Sequence, residues 1–145
     1  MELNPAQQLL ARRYHCAESV LTAVCRELGV ESELVPRIAT AFGGGMGRSG
    51  EVCGAVTGAL MGIGVKLGRE QPEQSVTEIN TLARRLLQGF REQMGSIYCR
   101  DLTGMDLSTT EGLQQYRASD VPVRVCLRAV GFAYDKTLEL LSQPT

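Results

Sequence analysis

The stretch Ala41–Leu60, AFGGGMGRSGEVCGAVTGAL, decides how the chain is read. It contains a literal G-x-G-x-x-G at Gly45, Gly47 and Gly50, the pattern that holds a pyrophosphate when it joins a strand to a helix inside a parallel βαβ unit. The residues before it, LVPRIATAF, look helical, and Gly47 is followed by Arg48 and Ser49 instead of the Lys-Ser/Thr of a phosphate-binding loop. The run therefore reads as a connection between helices. Gly54, Gly58 and Gly62 then recur every four residues on one face of the helix that follows. A glycine inside a helix costs about 0.5–1 kcal/mol relative to alanine, so a stripe of three implies a second backbone approaching closely. Cys53 stands in the first turn of this helix, where partial positive charge favours thiolate over thiol.

Working outward, Asn4 and Pro5 read as an N-cap and a first-turn proline. Leu10, Tyr14, Ala17, Leu21, Val24 and Leu28 then recur at helical spacing before Gly29, which predicts a first helix of about seven turns. Ser32 to Phe42 predicts a short second helix and Gly50 to Gly68 the third. Ser75 with Glu78 forms a capping-box signature for a fourth helix through Leu82, Leu86, Phe90 and Met94 to Gly95. Ser108 with Glu111 repeats it for a short fifth, and Pro122 opens the last, with Val125, Ala129, Phe132, Leu138 and Leu141 as core positions. No segment alternates as a strand does. The expected fold is all-α: a compact bundle of about six helices around the central glycine-rich one, as a single domain over residues 1–145.

The chain has 145 residues, 43% of them hydrophobic, enough for a core without disulfide staples. A formal charge of −1 with both signs interspersed leaves no basic stripe, which argues against nucleic acid as a partner. The longest uncharged small-and-apolar run, Val52 to Val65, is shorter than the roughly 20 residues a membrane span needs. The start of the chain lacks a basic segment followed by an apolar one. These features predict a cytoplasmic protein that does not engage the membrane.

Five cysteines, Cys16, Cys25, Cys53, Cys99 and Cys126, are many for a reduced compartment, where clusters more often serve metal or redox chemistry than structural disulfides. None is paired as C-x-x-C, so any joint site must be assembled by the fold. Cys16 and Cys25 are nine residues apart, about 900° of rotation at roughly 100° per residue, and so face opposite sides of a helix. Cys25 lies nearer the apolar stripe and reads as the packing cysteine, Cys16 as the site member. Arg124 and Arg128 flank Cys126, and Arg100 follows Cys99, although sequence neighbours need not face the sulfur. His15 reads as a solvated side chain beside Cys16, Met46 and Met61 as loop and core filler, and Asp101 and Asp106 as turn residues. Arg84, Arg85, Arg91 and Glu92 read as a solvated helix face.

The ordered segments YHCAESVL, FGGGMGRSGEVCGAVTGALM, SIYCRDLTGMDLST and CLRAVGFAYDKTLELL together resemble the C_GCAxxG_C_C family of putative redox-active proteins over nearly the full chain. The resemblance assigns four family cysteines to Cys16, Cys53, Cys99 and Cys126 and leaves Cys25 outside. Here the core reads Cys53-Gly54-Ala55-Val56-Thr57-Gly58, a C-G-A-x-x-G instead of a literal G-C-A-x-x-G. A similar segment in split-Soret cytochromes c is associated with an iron–sulfur centre, and this chain has no C-x-x-C-H for covalent haem.

What the resemblance implies is a small helical protein with a redox role. Three readings follow. The four cysteines hold a [2Fe–2S] cluster or zinc and serve electron transfer; or they form a metal-free thiol–disulfide system; or they are packing residues of a helical interaction module. A redox partner protein is expected under the first two, and a homodimer is compatible with the glycine-lined helix.

Overall fold

The computed structural model describes residues 2–143. Among these residues seven α-helices run in the order α1 (Pro5–Ala11), α2 (Cys16–Glu27), α3 (Gly54–Leu67), α4 (Thr77–Met94), α5 (Cys99–Thr103), α6 (Thr110–Ala118) and α7 (Leu127–Ser142). A 3-10 turn at Arg37–Phe42 and a π turn at Pro122–Cys126 complete the helical structure. Among the described residues there is no strand, only one isolated antiparallel bridge between Val52 and Tyr98. The fold is an all-α bundle, with α3 packed against α2, α4 and α7.

The glycine stripe sets the α2–α3 distance. A Cβ on Gly58 would sit 2.7 Å from the Ala17 carbonyl oxygen, and one on Gly62 would sit 2.9 Å from a methyl of Val24. On the other side of α3, Leu82, Leu86 and Phe90 come from α4 at four-residue spacing and are fully buried. Phe90 meets Phe132 of α7 edge to face, with centroids 6.1 Å apart. Each such side chain contributes about 1.5–3 kcal/mol by leaving water.

Element boundaries differ from the sequence expectation where side chains compete for backbone amides. The single long first helix is broken: Arg13 takes φ +74°, and His15 opens α2 with its N–H donating to Glu18 Oε1 at 2.7 Å. The stub α1 is then fastened to α7, as Asn4 and Gln7 donate side-chain hydrogen bonds to the Gly131 and Leu127 carbonyls. The expected second helix is reduced to the 3-10 turn, and α3 begins at Gly54, not Gly50. Neither capping box drawn from serine forms. Val76 precedes α4, with Ser75 accepting from the Thr77 N–H. Thr109 caps α6 through the Gly112 N–H, because Ser108 is engaged with Asp106. The segment around Cys99, which falls between the expected fourth and fifth helices, contains the short α5.

A four-cysteine cavity as the candidate functional site

The glycine run is a left-handed turn. Gly44, Gly45, Met46, Gly47 and Arg48 have φ between +62° and +69°, a region that costs a residue with a side chain roughly 1–2 kcal/mol. The amides of Met46, Gly47, Arg48, Gly50 and Glu51 donate to carbonyls of residues 41–45 within the same turn. They are thus committed internally and do not form a phosphate cradle. Gly45 is required twice over: its φ is +69°, and a Cβ there would lie 2.7 Å from Cys99 Cβ and 2.6 Å from the Glu51 oxygen.

The chain leaves this turn directly into the Val52–Tyr98 bridge. Cys53 N–H donates to the Ile97 carbonyl at 2.7 Å, and Cys99 N–H donates to the Glu51 carbonyl at 2.8 Å. Because side chains alternate along an extended segment, Cys53 and Cys99 share the face opposite Val52 and Tyr98. They are diagonal neighbours across the bridge, a relation that separates residues by roughly 7–8 Å. Cys53 is also the residue that opens α3, and Gly54 beside it lets α2 in, since a Cβ on Gly54 would lie 3.2 Å from Cys16 Cβ. Cys16 is the first residue of α2. Cys126 ends the π turn, a wide turn in which Leu127 N–H reaches the Pro122 carbonyl before α7 begins.

Cys16, Cys53, Cys99 and Cys126 all line one cavity of about 740 Å³. Cys53 and Cys99 are buried, while Cys16 and Cys126 are partly exposed, and all four are free thiols. Cys25 lies elsewhere, buried with Ala17, Leu21 and Ala39.

Hydrogen bonding divides the proton unequally among these sulfurs. Cys16 faces both Cys126 and Cys53 as hydrogen-bond partners, and those contacts, with burial, hold its pKa well above the ordinary thiol value. The same contacts act in the opposite direction on its neighbours. The Cys16 hydrogen bond brings Cys126 down to about 7 against the effect of burial, and Tyr116 assists, with its hydroxyl 3.2 Å from Cys126 Sγ. Tyr116 itself is pushed up by burial and by the Cys126 charge. Cys53 is lowered, first by Cys16, then by the Ala55 and Val56 amides at the opening of α3. Cys99 makes no such contact, and burial pushes it up to about 12, with the Cys53 and Cys126 charges adding to the rise. A thiol carries one proton to donate, so Cys16 can support only one neighbouring thiolate at a time. Tyr116 gives Cys126 a second donor.

Residues picked out by proximity in sequence have other work. Arg124 pairs with Asp120 at 3.0 Å, and Arg128 donates to the Gln93 carbonyl, so neither is held against Cys126. His15 lines the cavity rim but is occupied: its Nδ1 lies 3.1 Å from the Thr40 carbonyl and its ring covers Gly43. Asp106 organises its own turn by accepting from Ser108, as expected of a turn residue. Met61 packs at the Cys25 side of α2, and Met46 belongs to the left-handed turn. Tyr116 was not singled out by the sequence. It stands ten residues from Cys126 on a polar helix, and only the return of the chain from α6 into the π turn joins them.

Among the described residues, no group of three or more His, Cys, Asp or Glu side chains is gathered as a metal-holding set. No described helix is long and apolar enough to cross a membrane. No curated protein and no solved structure matches the chain. A family model described as "Putative redox-active protein (C_GCAxxG_C_C)" matches residues 14–140, a span that contains all four cavity cysteines. The chain belongs to the C_GCAxxG_C_C family of putative redox-active proteins.

Proposed function

We propose that the protein is a thiol–disulfide redox protein in which Cys126 attacks and Cys16 resolves. The observation that carries this reading is the shared cavity, in which Cys16 and Cys126 are the partly exposed pair of the four and the Tyr116 hydroxyl donates to Cys126 Sγ at 3.2 Å; hydrogen bonding to Cys16 and Tyr116 favours the charge on Cys126. Cys126 thiolate bonds to one sulfur of a substrate disulfide as the substrate S–S bond breaks, and the departing half leaves as a thiolate that takes a proton from water. Cys16, once deprotonated, bonds to Cys126 Sγ and displaces the second half. The two cysteines lose two electrons and the substrate disulfide becomes two thiols. Cys126 suits the attack because the best attacking thiol has a pKa near ambient pH. Tyr116 stabilises its thiolate, and Cys53 offers an alternative partner for Cys16.

A second reading, a four-thiolate centre, is favoured by one observation: the four family cysteines line one cavity and Cys25 does not. The donor chemistry suits a [2Fe–2S] cluster, which would supply one-electron transfer, or zinc. The side chains as they stand are not drawn together for a metal ion, so this reading requires the sulfurs to close in.

One experiment separates the two. Protein purified without oxygen is assayed for iron, sulfide and zinc, then equilibrated across a series of reduced and oxidised dithiothreitol mixtures while free thiols are counted by alkylation and mass. The dithiol reading expects a colourless protein whose five thiols fall to three in a two-electron step. Stoichiometric metal with no such step would overturn it in favour of the four-thiolate centre.

A further inference from the structure

The cavity wall outside the cysteines is charged in one sense only. Arg13, Arg48 and Arg117 line it, and no Asp or Glu does, although acidic residues outnumber basic ones in the chain, 16 to 15. The three arginines come from unrelated elements. Arg13 stands at the break between α1 and α2 with φ +74°, Arg48 ends the left-handed turn with φ +62°, and Arg117 follows Tyr116 in the last turn of α6. Among the described residues none of the three guanidinium groups takes part in an ion pair. Elsewhere Arg100 pairs with Glu51 and Arg124 with Asp120, while Arg26, Arg37, Arg84 and Arg91 lie exposed outside any ion pair among the described residues; what sets the three apart is that they converge on one cavity. Leu10, Leu107 and Leu113 supply apolar wall in the same cavity, and low-dielectric walls focus the field of like charges. At about 740 Å³ the space is that of a small-molecule site.

We propose that the cavity takes a small anionic disulfide, whose carboxylates are received by Arg13, Arg48 and Arg117 while one of its sulfurs meets Cys126. Guanidinium groups suit this because they donate paired N–H hydrogen bonds to a carboxylate and stay charged at any working pH. The assignment rests on the thiol–disulfide reading above and adds the substrate class: carboxylate-bearing and of low molecular weight. Its exchange follows the two displacements already given, with the anionic disulfide as oxidant and two anionic thiols released.

The test has two arms, so that failure of the substrate class and failure of the exchange reading look different. In the first, reduced full-length protein is alkylated at Cys126 with anionic iodoacetate and with neutral iodoacetamide, and the ratio of rates is compared with that of N-acetylcysteine. The charge-lined cavity should raise this ratio roughly tenfold. High salt should collapse it, as should the triple variant Arg13→Gln, Arg48→Gln, Arg117→Gln. A ratio at or below the reference overturns the anion site, and the salt series on the unaltered protein decides the matter if the triple variant does not fold.

In the second arm the protein meets dithiodipropionate, bis-hydroxyethyl disulfide and cystamine, which are dianionic, neutral and dicationic. Normalised to the reference thiol, rates should fall in that order. Equal normalised rates would leave exchange standing and overturn the anionic substrate. A retained iodoacetate preference with no reaction toward any disulfide would overturn the exchange reading, and the disulfide identity with it.

Discussion

The two sides of α2 carry one cysteine each and put them in opposite surroundings. Cys25 is 3% exposed, enclosed with Ala17, Leu21 and Ala39 under Val35, Phe42 and Met61, and burial raises its pKa. Cys16, nine residues earlier on the same helix, faces two sulfurs delivered by α3 and the π turn, and its proton lowers the pKa of both. Residue type and helix are the same in each case. What differs is whether the element opposite brings aliphatic surface or a hydrogen-bonding partner, so the chemistry of a cysteine in this bundle is set by its neighbours across the helix interface.

The contrast depends first on how closely α2 and α3 approach, and the largest effect is expected from Gly58→Val. A Cβ there meets the Ala17 carbonyl oxygen at 2.7 Å and Ala17 Cα at 3.0 Å, both backbone atoms, so the helix itself must shift. Overpacking of this kind costs about 1–3 kcal/mol, which urea unfolding should show as a lowered midpoint. Cys16 moves with α2, so the alkylation rate of Cys126 near neutral pH should fall as well. An unchanged midpoint would mean that the stripe is not what spaces the helices.

Cys16→Ala comes next. It removes the contact that does most to lower Cys126. Losing an interaction that favours the charged form raises the pKa, so the pH midpoint for Cys126 alkylation should move up from about 7. An ordinary thiol near 8.5 carries only a few per cent thiolate at pH 7, so the thiolate fraction should drop roughly tenfold. The gain in intrinsic nucleophilicity of a more basic sulfur offsets part of that in the rate. Tyr116→Phe should move the same midpoint in the same direction by less, because its hydrogen bond is the smaller of the two lowering contacts. A larger shift for Tyr116→Phe than for Cys16→Ala would reverse the account of which neighbour holds the charge.

The helical character of the chain, the central glycine-striped helix and the separation of Cys25 from Cys16 were legible in the sequence, because each rests on the 3.6-residue period alone. The break at Arg13 was not. Leu10, Tyr14 and Ala17 continue a helical pattern through it, and only the His15–Glu18 capping contact ends one helix and starts another. The left-handed turn was visible as glycines but not as a shape, since Met46 and Arg48 adopt it too. Tyr116 and the three cavity arginines were illegible for a different reason. Tyr116 and Arg117 reach the site through tertiary return of the chain from α6, whereas Arg13 and Arg48 stand three and five residues before Cys16 and Cys53 and are aimed by left-handed backbone that local spacing does not show.

The smallest effect on the Cys126 profile belongs to Cys25→Ser. It should leave the Cys126 pH profile in place and cost about 1–3 kcal/mol from burying a hydroxyl among aliphatic side chains. Thermal or urea unfolding together with the alkylation profile checks both halves, and a displaced profile would join the two sides of α2 that the structure separates.

The central claim, that Cys126 and Cys16 form the working pair, is tested most directly by mapping the bond formed on oxidation. Reduced protein is treated with one equivalent of a small disulfide, quenched in acid, alkylated, and digested after glutamate without reduction. Cleavage at Glu18 separates Cys16 from Cys25, which lie on one peptide between Arg13 and Arg26 in a tryptic digest. The account predicts a Cys16–Cys126 linkage as the first product, with Cys25 recovered as an alkylated thiol. A first product that links Cys25, or that leaves Cys126 alkylated while two other cysteines are joined, would contradict it.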